Sequence, residues 1–146
     1  MSEIILSAVL LANAVWYAMG FITFHLRRDV FGKVMVPIKA DRDNTAYAAL
    51  VESGRFSGGF NFALCALNIC LLANLAGFET DMQWATLLGF NALIHGSQFY
   101  GNVPMALQNR RGGGLWNVFK GVMLRIFVID FVLMTFNGLL AILLLV

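Results

Sequence analysis

An aspartate and a histidine lie inside long apolar stretches of this chain. Asp130 is in the run that ends at Val146, and His95 is in the run that follows Trp84. A carboxylate inside a membrane is costly and needs a partner, which makes it a candidate for function. An imidazolium nearby would hold such a carboxylate in its charged form. We therefore expect Asp130 and His95 to pair, and Arg125, five residues earlier, to extend toward the cytoplasmic headgroups.

Other polar residues recur at helical spacing in the same apolar runs. Residues three, four or seven apart lie on one face of a helix, so each run is expected to carry a polar stripe that faces the protein interior. Counting about 1.5 Å per residue from each helix end places the polar residues of different runs at similar depth. The predicted interior polar site contains Asn13, Tyr17, Asn61, Asn68, Asn91, His95, Gln98, Asp130 and Asn137.

Two interpretations of this polar site stay open. Asparagine, glutamine, histidine and aspartate inside membrane bundles often join helices through hydrogen bonds worth about 0.6 kcal/mol each. That structural role accounts for the amides by themselves. A buried His95–Asp130 pair is a costly way to pack helices, so for these two residues the structural and the functional interpretation both remain.

The composition indicates an integral membrane protein. Of 146 residues, 60% are apolar and 12% are charged, with a mean hydropathy of +0.77. Soluble domains carry about 25% charged residues. Apolar runs of about 20 residues are long enough to cross a bilayer as helices. We predict one all-α domain over residues 1–146, an antiparallel up-down-up-down four-helix bundle with spans at about 4–24, 58–77, 84–105 and 122–146, and loops at 25–57 and 106–121.

The distribution of basic residues predicts the orientation of these spans. All ten lysines and arginines fall on the first and third connections or on the helix turns beside them. Basic loops stay in the cytoplasm, which leaves both termini on the non-cytoplasmic side of a bacterial inner membrane or an equivalent membrane. Ser2 and Glu3 stand where a signal peptide would have basic residues, so we expect the first helix to be retained.

Several kinds of site are not predicted. Cys65 and Cys70 lie five residues apart on one helix, a poor geometry for a disulfide, and no metal-binding motif is present. His25 lies at the membrane edge and His95 well inside, which disfavours a haem held by two histidines. The net charge of +2 reflects orientation rather than nucleic-acid binding. The residues themselves imply no cofactor and identify no catalytic group.

Residues 54–72 resemble the opening of the second helix in the MAPEG superfamily of small four-helix membrane proteins. Asn61 and Phe62 match an asparagine-phenylalanine pair of that family, and Arg55 precedes them as its arginine does, though two residues too far away. The family's histidine is absent, and Leu64 stands where the family has an acidic residue. The resemblance therefore implies the fold, and by analogy trimerisation, while glutathione enters only as the family's cofactor.

Three functions are compatible with these features. The first is a non-catalytic accessory subunit, or a lipophile-binding bundle with a polar interior centred on His95 and Asp130. The second is a MAPEG-like enzyme that uses a thiol cofactor on a lipophilic substrate. The third is a proton-linked small transporter. The expected partners are the lipid bilayer and either other membrane subunits or further copies of this chain.

Overall fold

The computed structural model describes residues 3–146 and is all-α, as predicted, with no strand in that range. Ser2, which entered the argument for a retained first helix, lies outside the described residues. The α-helices are α1 (Glu3–Phe21), α2 (Arg28–Met35), α3 (Thr45–Ala73), α4 (Asp81–Arg110) and α5 (Gly121–Leu143). A π-helical turn, Ile22–Leu26, extends α1, and 3-10 turns occur at Lys39–Arg42 and Leu75–Gly77.

Side-chain caps define where α3 and α4 begin. The Asn44 side-chain oxygen accepts a hydrogen bond from the Tyr47 backbone N–H at 2.8 Å. At α4, Thr80 accepts from the Gln83 N–H at 3.3 Å, and the Gln83 side chain accepts from the Thr80 N–H at 3.1 Å. This reciprocal capping box satisfies backbone donors that the first helical turn leaves free.

Three helical segments are long and apolar enough to cross a membrane: Glu3–Leu26, Thr45–Ala73 and Gly121–Leu143. Their mean hydropathies are 1.9, 1.7 and 2.3. The predicted third span falls in α4, which has 30 residues but is less apolar because it carries the stripe of Asn91, His95, Gln98 and Asn102.

The observed bounds differ from the predicted spans and loops in three places. The second long helix begins at Thr45 rather than near residue 58, so much of the predicted loop 25–57 is helical, in α2 and the first turns of α3. The Asn44 cap explains this early start. α4 continues past Pro104 to Arg110 instead of ending near residue 105, and α5 ends at Leu143 rather than at residue 146.

Two glycines let α3 approach the end of α1 closely. A Cβ built on Gly54 would lie 2.8 Å from the Phe24 carbonyl oxygen, and one built on Gly58 would lie 2.8 Å from the His25 backbone nitrogen. Small residues four apart on one helix face permit this kind of backbone contact. Gly54 and Gly58 therefore belong to a helix–helix interface rather than to a hinge.

The remaining packing divides the interior into an apolar end and a polar middle. α1 packs mainly on α3, α4 packs mainly on α5, and α1 also contacts α5. An apolar cluster joins the four long helices at the start of α1 and α4. Its buried members are Leu6, Val9, Leu10, Leu71, Trp84, Leu88 and Ala141.

Candidate functional site

His95 of α4 and Asp130 of α5 lie side by side in the centre of the molecule. The His95 Nδ1 and Asp130 Oδ1 atoms are 3.0 Å apart, and both side chains are 0% exposed. Each residue lies on the buried face of its helix. The structure thus brings together the two residues that the sequence singles out as candidates for function.

A pair of asparagines holds the other edge of the His95 ring. The Asn13 and Asn137 side-chain amides donate to each other's oxygens at 2.9 and 3.0 Å. The Asn137 amide also donates to the Leu133 carbonyl at 2.8 Å, which fixes which way this side chain is turned. The Asn13 oxygen consequently faces the His95 Nε2 atom at 3.2 Å.

These contacts determine how the His95–Asp130 pair carries its protons. Because the Asn13 oxygen can only accept, the His95 Nε2 atom must be a donor. A second proton then lies between Nδ1 and the Asp130 Oδ1 atom, on one atom or the other. The pair is neutral overall in both arrangements, which reduces the cost of burying it.

Trp16 is a member of this cluster that the sequence did not reveal. Its indole Nε1–H donates to Asp130 Oδ1 at 2.9 Å, whereas its position in the sequence indicates only packing or an interfacial anchor. Trp16 is partly buried, and an indole N–H removed from water usually finds a hydrogen-bond acceptor; this tendency is the one sequence signal of its role. The Tyr17 ring stacks on the His95 ring at 5.0 Å between centroids, almost parallel at 8°.

A second group of hydrogen bonds joins α1, α3 and α4. The Tyr17 hydroxyl donates to the Asn91 side-chain oxygen at 3.1 Å. The Asn68 and Asn91 amides donate to each other at 3.3 and 3.4 Å. Together with the His95 cluster these bonds form a continuous interior assembly, hereafter the polar network. Its members are Asn13, Trp16, Tyr17, Asn68, Asn91, His95, Asp130 and Asn137.

Asn61 and Gln98, also predicted for the site, lie outside the polar network. The Asn61 amide donates to the Ser57 carbonyl of its own helix at 2.8 Å and packs against Gly20. The Gln98 side chain makes no hydrogen bond within the described part of the chain, although it is half-buried. Correct helix face alone therefore did not suffice to place a residue in the network.

One buried polar atom of the network lacks a partner. Among the described residues, Asp130 Oδ2 is the only fully buried side-chain nitrogen or oxygen without a hydrogen bond. Arg125 is exposed and forms no ion pair with Asp130. Within residues 3–146, His95 is therefore the one basic side chain that the structure places against the Asp130 carboxyl.

A groove runs beside the polar network, between α1, α2, α4 and α5. It consists of two adjoining lobes that share the lining residues Thr23, Phe24, Gln98 and Ile126. The inner lobe, about 50 Å³, extends to Trp16, Met19, Gly20 and Asn61. The outer lobe, about 230 Å³, is bounded by further residues: Phe31, Val34, Met35, Ser97, Gly101, Asn102, Trp116 and Met123.

The loop after α4 positions the outer wall of this groove. The Asn109 amide donates to the Gly113 and Trp116 carbonyls, both at 2.9 Å, and its oxygen accepts from the Val118 N–H at 2.8 Å. The Trp116 indole in turn donates to the Asn102 oxygen at 3.3 Å. Hydrogen bonds from Asn109 thus hold the glycine-rich loop in one conformation, with Trp116 packed against α4.

Metal and haem sites receive no geometric support in residues 3–146. No three histidine, cysteine, aspartate or glutamate side chains cluster there as metal ligands would. Cys65 and Cys70 are free thiols. The His25 ring stacks on Phe21 beside the Arg55 carbonyl, in the π-helical turn that extends α1.

The residues that carry the MAPEG resemblance do not converge on one site. Arg55 donates to the Glu52 carboxylate at 2.6 Å, Asn61 faces Gly20, and the exposed Phe62 ring packs on Phe21 at 5.3 Å. No family model, curated protein or solved structure matches this chain. The relation to that superfamily, and trimerisation with it, stays a prediction.

Proposed function

We propose that this chain is an integral membrane protein whose four long helices, α1, α3, α4 and α5, cross the bilayer in alternating directions. In this proposal the basic connections lie in the cytoplasm, and the protein binds a small lipophile without catalysing a reaction. The three long apolar helical segments support the membrane location. The confinement of every lysine and arginine to two connections and the helix turns beside them supports the orientation.

The fourth crossing rests on where α4 buries its polar residues. Asn91 and His95 are 1% and 0% exposed, and both bond to other helices rather than facing outward. A membrane helix can carry such residues when they face protein. The lowered hydropathy of α4 is therefore compatible with crossing, and its 30 residues span about 45 Å at 1.5 Å per residue.

The observation that supports binding over catalysis is that both His95 nitrogens and the Asp130 Oδ1 atom are already bonded within the polar network, which leaves only the buried Asp130 Oδ2 atom without a partner in the described chain. Asn13 and Trp16 occupy the hydrogen-bonding positions of His95 and Asp130. A catalytic acid or base must come within hydrogen-bond reach of its substrate. His95 and Asp130 are fully buried and line neither lobe of the groove, so a substrate would have to break the network to reach them.

The groove supports a lipophile-binding role over that of a purely structural accessory subunit. Its lining is mainly apolar, with a few polar side chains: Thr23, Asn61, Ser97, Gln98 and Asn102. Small-molecule sites have this composition, and they often lie between the helices of a bundle. The polar network then has the structural task of holding the groove walls in place.

Purification in mild detergent followed by native mass spectrometry tests this function. We expect the protein to carry a small organic molecule near one per chain, released by organic solvent, and to bring no other polypeptide in fixed proportion. Recovery with a stoichiometric partner protein and no small molecule would instead identify an accessory subunit. Recovery with neither, together with turnover of an added electrophile by glutathione, would contradict the proposal.

Proton-linked transport is a second candidate, favoured by one observation. Asp130 Oδ2 is buried and has no partner among the described residues, and the adjacent proton can reside on His95 or on Asp130. Proton-linked transport through Asp130 requires that this carboxyl gain and lose a proton during each transport cycle. If pH-driven uptake into liposomes exists, Asp130→Asn should abolish it; uptake that Asp130→Asn leaves unchanged would remove this candidate.

A further inference from the structure

We propose that the groove binds a single-chain lipophile with an uncharged, hydroxyl-bearing head, and that Gln98 and Thr23 recognise the hydroxyl. The proposal deepens the proposed function and rests on it, since it names the class of lipophile and the residues that select it. Its occupant follows from the shape, the polarity and the depth of the groove.

Two polar groups in the groove are free to bond to a ligand. The Gln98 amide and the Thr23 hydroxyl make no side-chain hydrogen bonds within residues 3–146, and both line the two lobes. A primary amide left unpaired in an apolar site loses hydrogen bonds that water would have supplied. Because the amide and the hydroxyl each donate and accept, they match a hydroxyl, which also does both.

The lining excludes a charged head. Among the described residues, no lysine, arginine, aspartate, glutamate or histidine lines either lobe. The nearby cations at the basic end are partly engaged with carboxylates: Lys33 pairs with Asp29 at 3.0 Å and Arg28 with Glu52 at 2.9 Å. An ionised carboxylate or phosphate at Gln98 would thus be buried with neutral donors alone.

The size of the groove selects a slender molecule. Its larger lobe measures about 230 Å³ and its smaller lobe about 50 Å³. Sites for drug-sized ligands occupy about 300–1,000 Å³. Two small adjoining lobes therefore accommodate one alkyl chain better than a fused ring system or a two-chain phospholipid.

Gln98 borders the groove at the level of Thr23 and Ile126, close to the ends of α1 and α5 that adjoin the basic connections. Thr23 and Ile126, which border the same part of the groove, lie three residues before Leu26 and five after Gly121, or about 5 to 8 Å from those helix ends at 1.5 Å per residue. The head group of a lipophile lies at this level when its chain extends along the helices. α2 covers the outer lobe with Phe31, Val34 and Met35.

Tryptophan fluorescence provides the assay because Trp16 and Trp116 each line one lobe. Bromine quenches an indole at contact distance, while Trp84 in the apolar cluster should keep its emission. The intact protein in detergent is titrated with a bromine-substituted long-chain alcohol, the matching bromoalkane and the matching fatty acid at alkaline pH. We expect saturable quenching by the alcohol and at least tenfold weaker binding of the other two.

Two glycines of α4 supply a matched pair of variants. A Cβ on Gly101 or on Gly89 would meet nothing within 4 Å, so the backbone at both positions has room for a side chain to begin. Gly101 lines the outer lobe and Gly89 lines neither. Gly101→Phe should abolish saturable quenching, whereas Gly89→Phe should retain it.

Gln98→Met tests recognition of the hydroxyl, because methionine has a similar shape but cannot form these hydrogen bonds. We expect this variant to bind the alcohol about tenfold more weakly and to lose its preference over the bromoalkane. The proposal is overturned if wild type shows no saturable quenching, if Gly101→Phe and Gly89→Phe quench alike, or if the fatty acid binds as tightly as the alcohol. If one of these results is found and native mass spectrometry still shows a bound small molecule of another class, this inference is refuted and the proposed function stands.

Discussion

The polar network and the groove lie next to each other and share Trp16 at their boundary. They differ in whether their polar side chains have hydrogen-bond partners. In the network, amides, rings and a carboxyl from α1, α3, α4 and α5 bond to one another across the interior. In the groove, the Gln98 amide and the Thr23 hydroxyl face open space and have no side-chain partner within residues 3–146. The same residue chemistry thus stabilises a fold in one place and offers a binding surface in the other.

The role of a polar residue inside an apolar helix therefore depends on its partners. His95 has the greater chemical reactivity but is enclosed by Asn13, Tyr17 and Asp130. Gln98 is less reactive but accessible to a ligand. Changes in the network should therefore alter stability, and changes in the groove should alter binding with little effect on stability.

The largest expected effect comes from breaking the buried pair. His95→Ala should lower the free energy of unfolding by about 3–5 kcal/mol, because Asp130 would stay buried with Trp16 as its one remaining partner in the described chain. Equilibrium unfolding by a denaturing detergent, followed by circular dichroism, measures this change.

The double variant His95→Leu with Asp130→Leu is the control for that measurement. Replacing both members of a buried pair with apolar residues is often neutral, so we expect the double variant to regain most of the loss. A double variant that is less stable than His95→Ala would mean that the pair stabilises the fold in its own right, contrary to this expectation.

The asparagine pair should have the next largest effect. Asn137→Leu leaves the Asn13 amide without its acceptor and should cost about 1–2 kcal/mol in the same unfolding assay. Thr135→Val on the same helix is the matched control, because the Thr135 hydroxyl bonds only to the Phe131 carbonyl of its own helix. Equal losses of unfolding free energy in the two variants would mean that the bond between helices contributes no more than a bond within one helix.

Much of the network could be predicted because helical spacing fixes both the face and the depth of a residue. From the sequence alone, that spacing places Asn13, Asn68, His95 and Asp130 at similar depth, and it places Asn137 on the same face of its helix as Asp130. It also includes Asn61 and Gln98, which line the groove instead. Helical spacing shows which face a residue lies on, but it does not show whether that face packs on another helix or borders a cavity.

Other features could not be read from the pattern. Trp16 resembles a packing residue in the sequence because its polar atom is one N–H on a large apolar ring. The early start of α3 depends on the Asn44 cap and on the Gly54 and Gly58 contacts with α1, which are local and tertiary details that hydropathy does not record. The groove depends on where α2 and the Trp116 loop pack, and no periodicity encodes that.

A small effect on stability is expected in the groove. Gln98→Met removes an amide that has no partner in the described chain, so the free energy of unfolding should change by less than about 0.5 kcal/mol or increase slightly. The same unfolding assay without added lipophile measures it. A loss comparable with that of Asn137→Leu would place Gln98 in the structural network instead.

The smallest effect is expected on the exposed surface of α2. The Lys33 ammonium beside Asp29 lowers the pKa of that carboxyl. Any stability from the pair is present above the ordinary carboxyl pKa and is lost as pH falls through the lowered value. Because both side chains are solvated, Lys33→Met should leave the thermal midpoint at pH 7 unchanged within error; a clear decrease would indicate that α2 depends on this pair.

The most direct test concerns whether α4 crosses the membrane, since the network requires α4 among the spanning helices. Positions 79 and 113 lie just before and just after α4 in the chain. Two single-cysteine variants, Glu79→Cys and Gly113→Cys, are made with Cys65 and Cys70 replaced by alanine. A membrane-impermeant maleimide applied to intact cells should label Glu79→Cys at once and Gly113→Cys only after permeabilisation. Labelling of both positions from the same side of the membrane would contradict the four-crossing bundle.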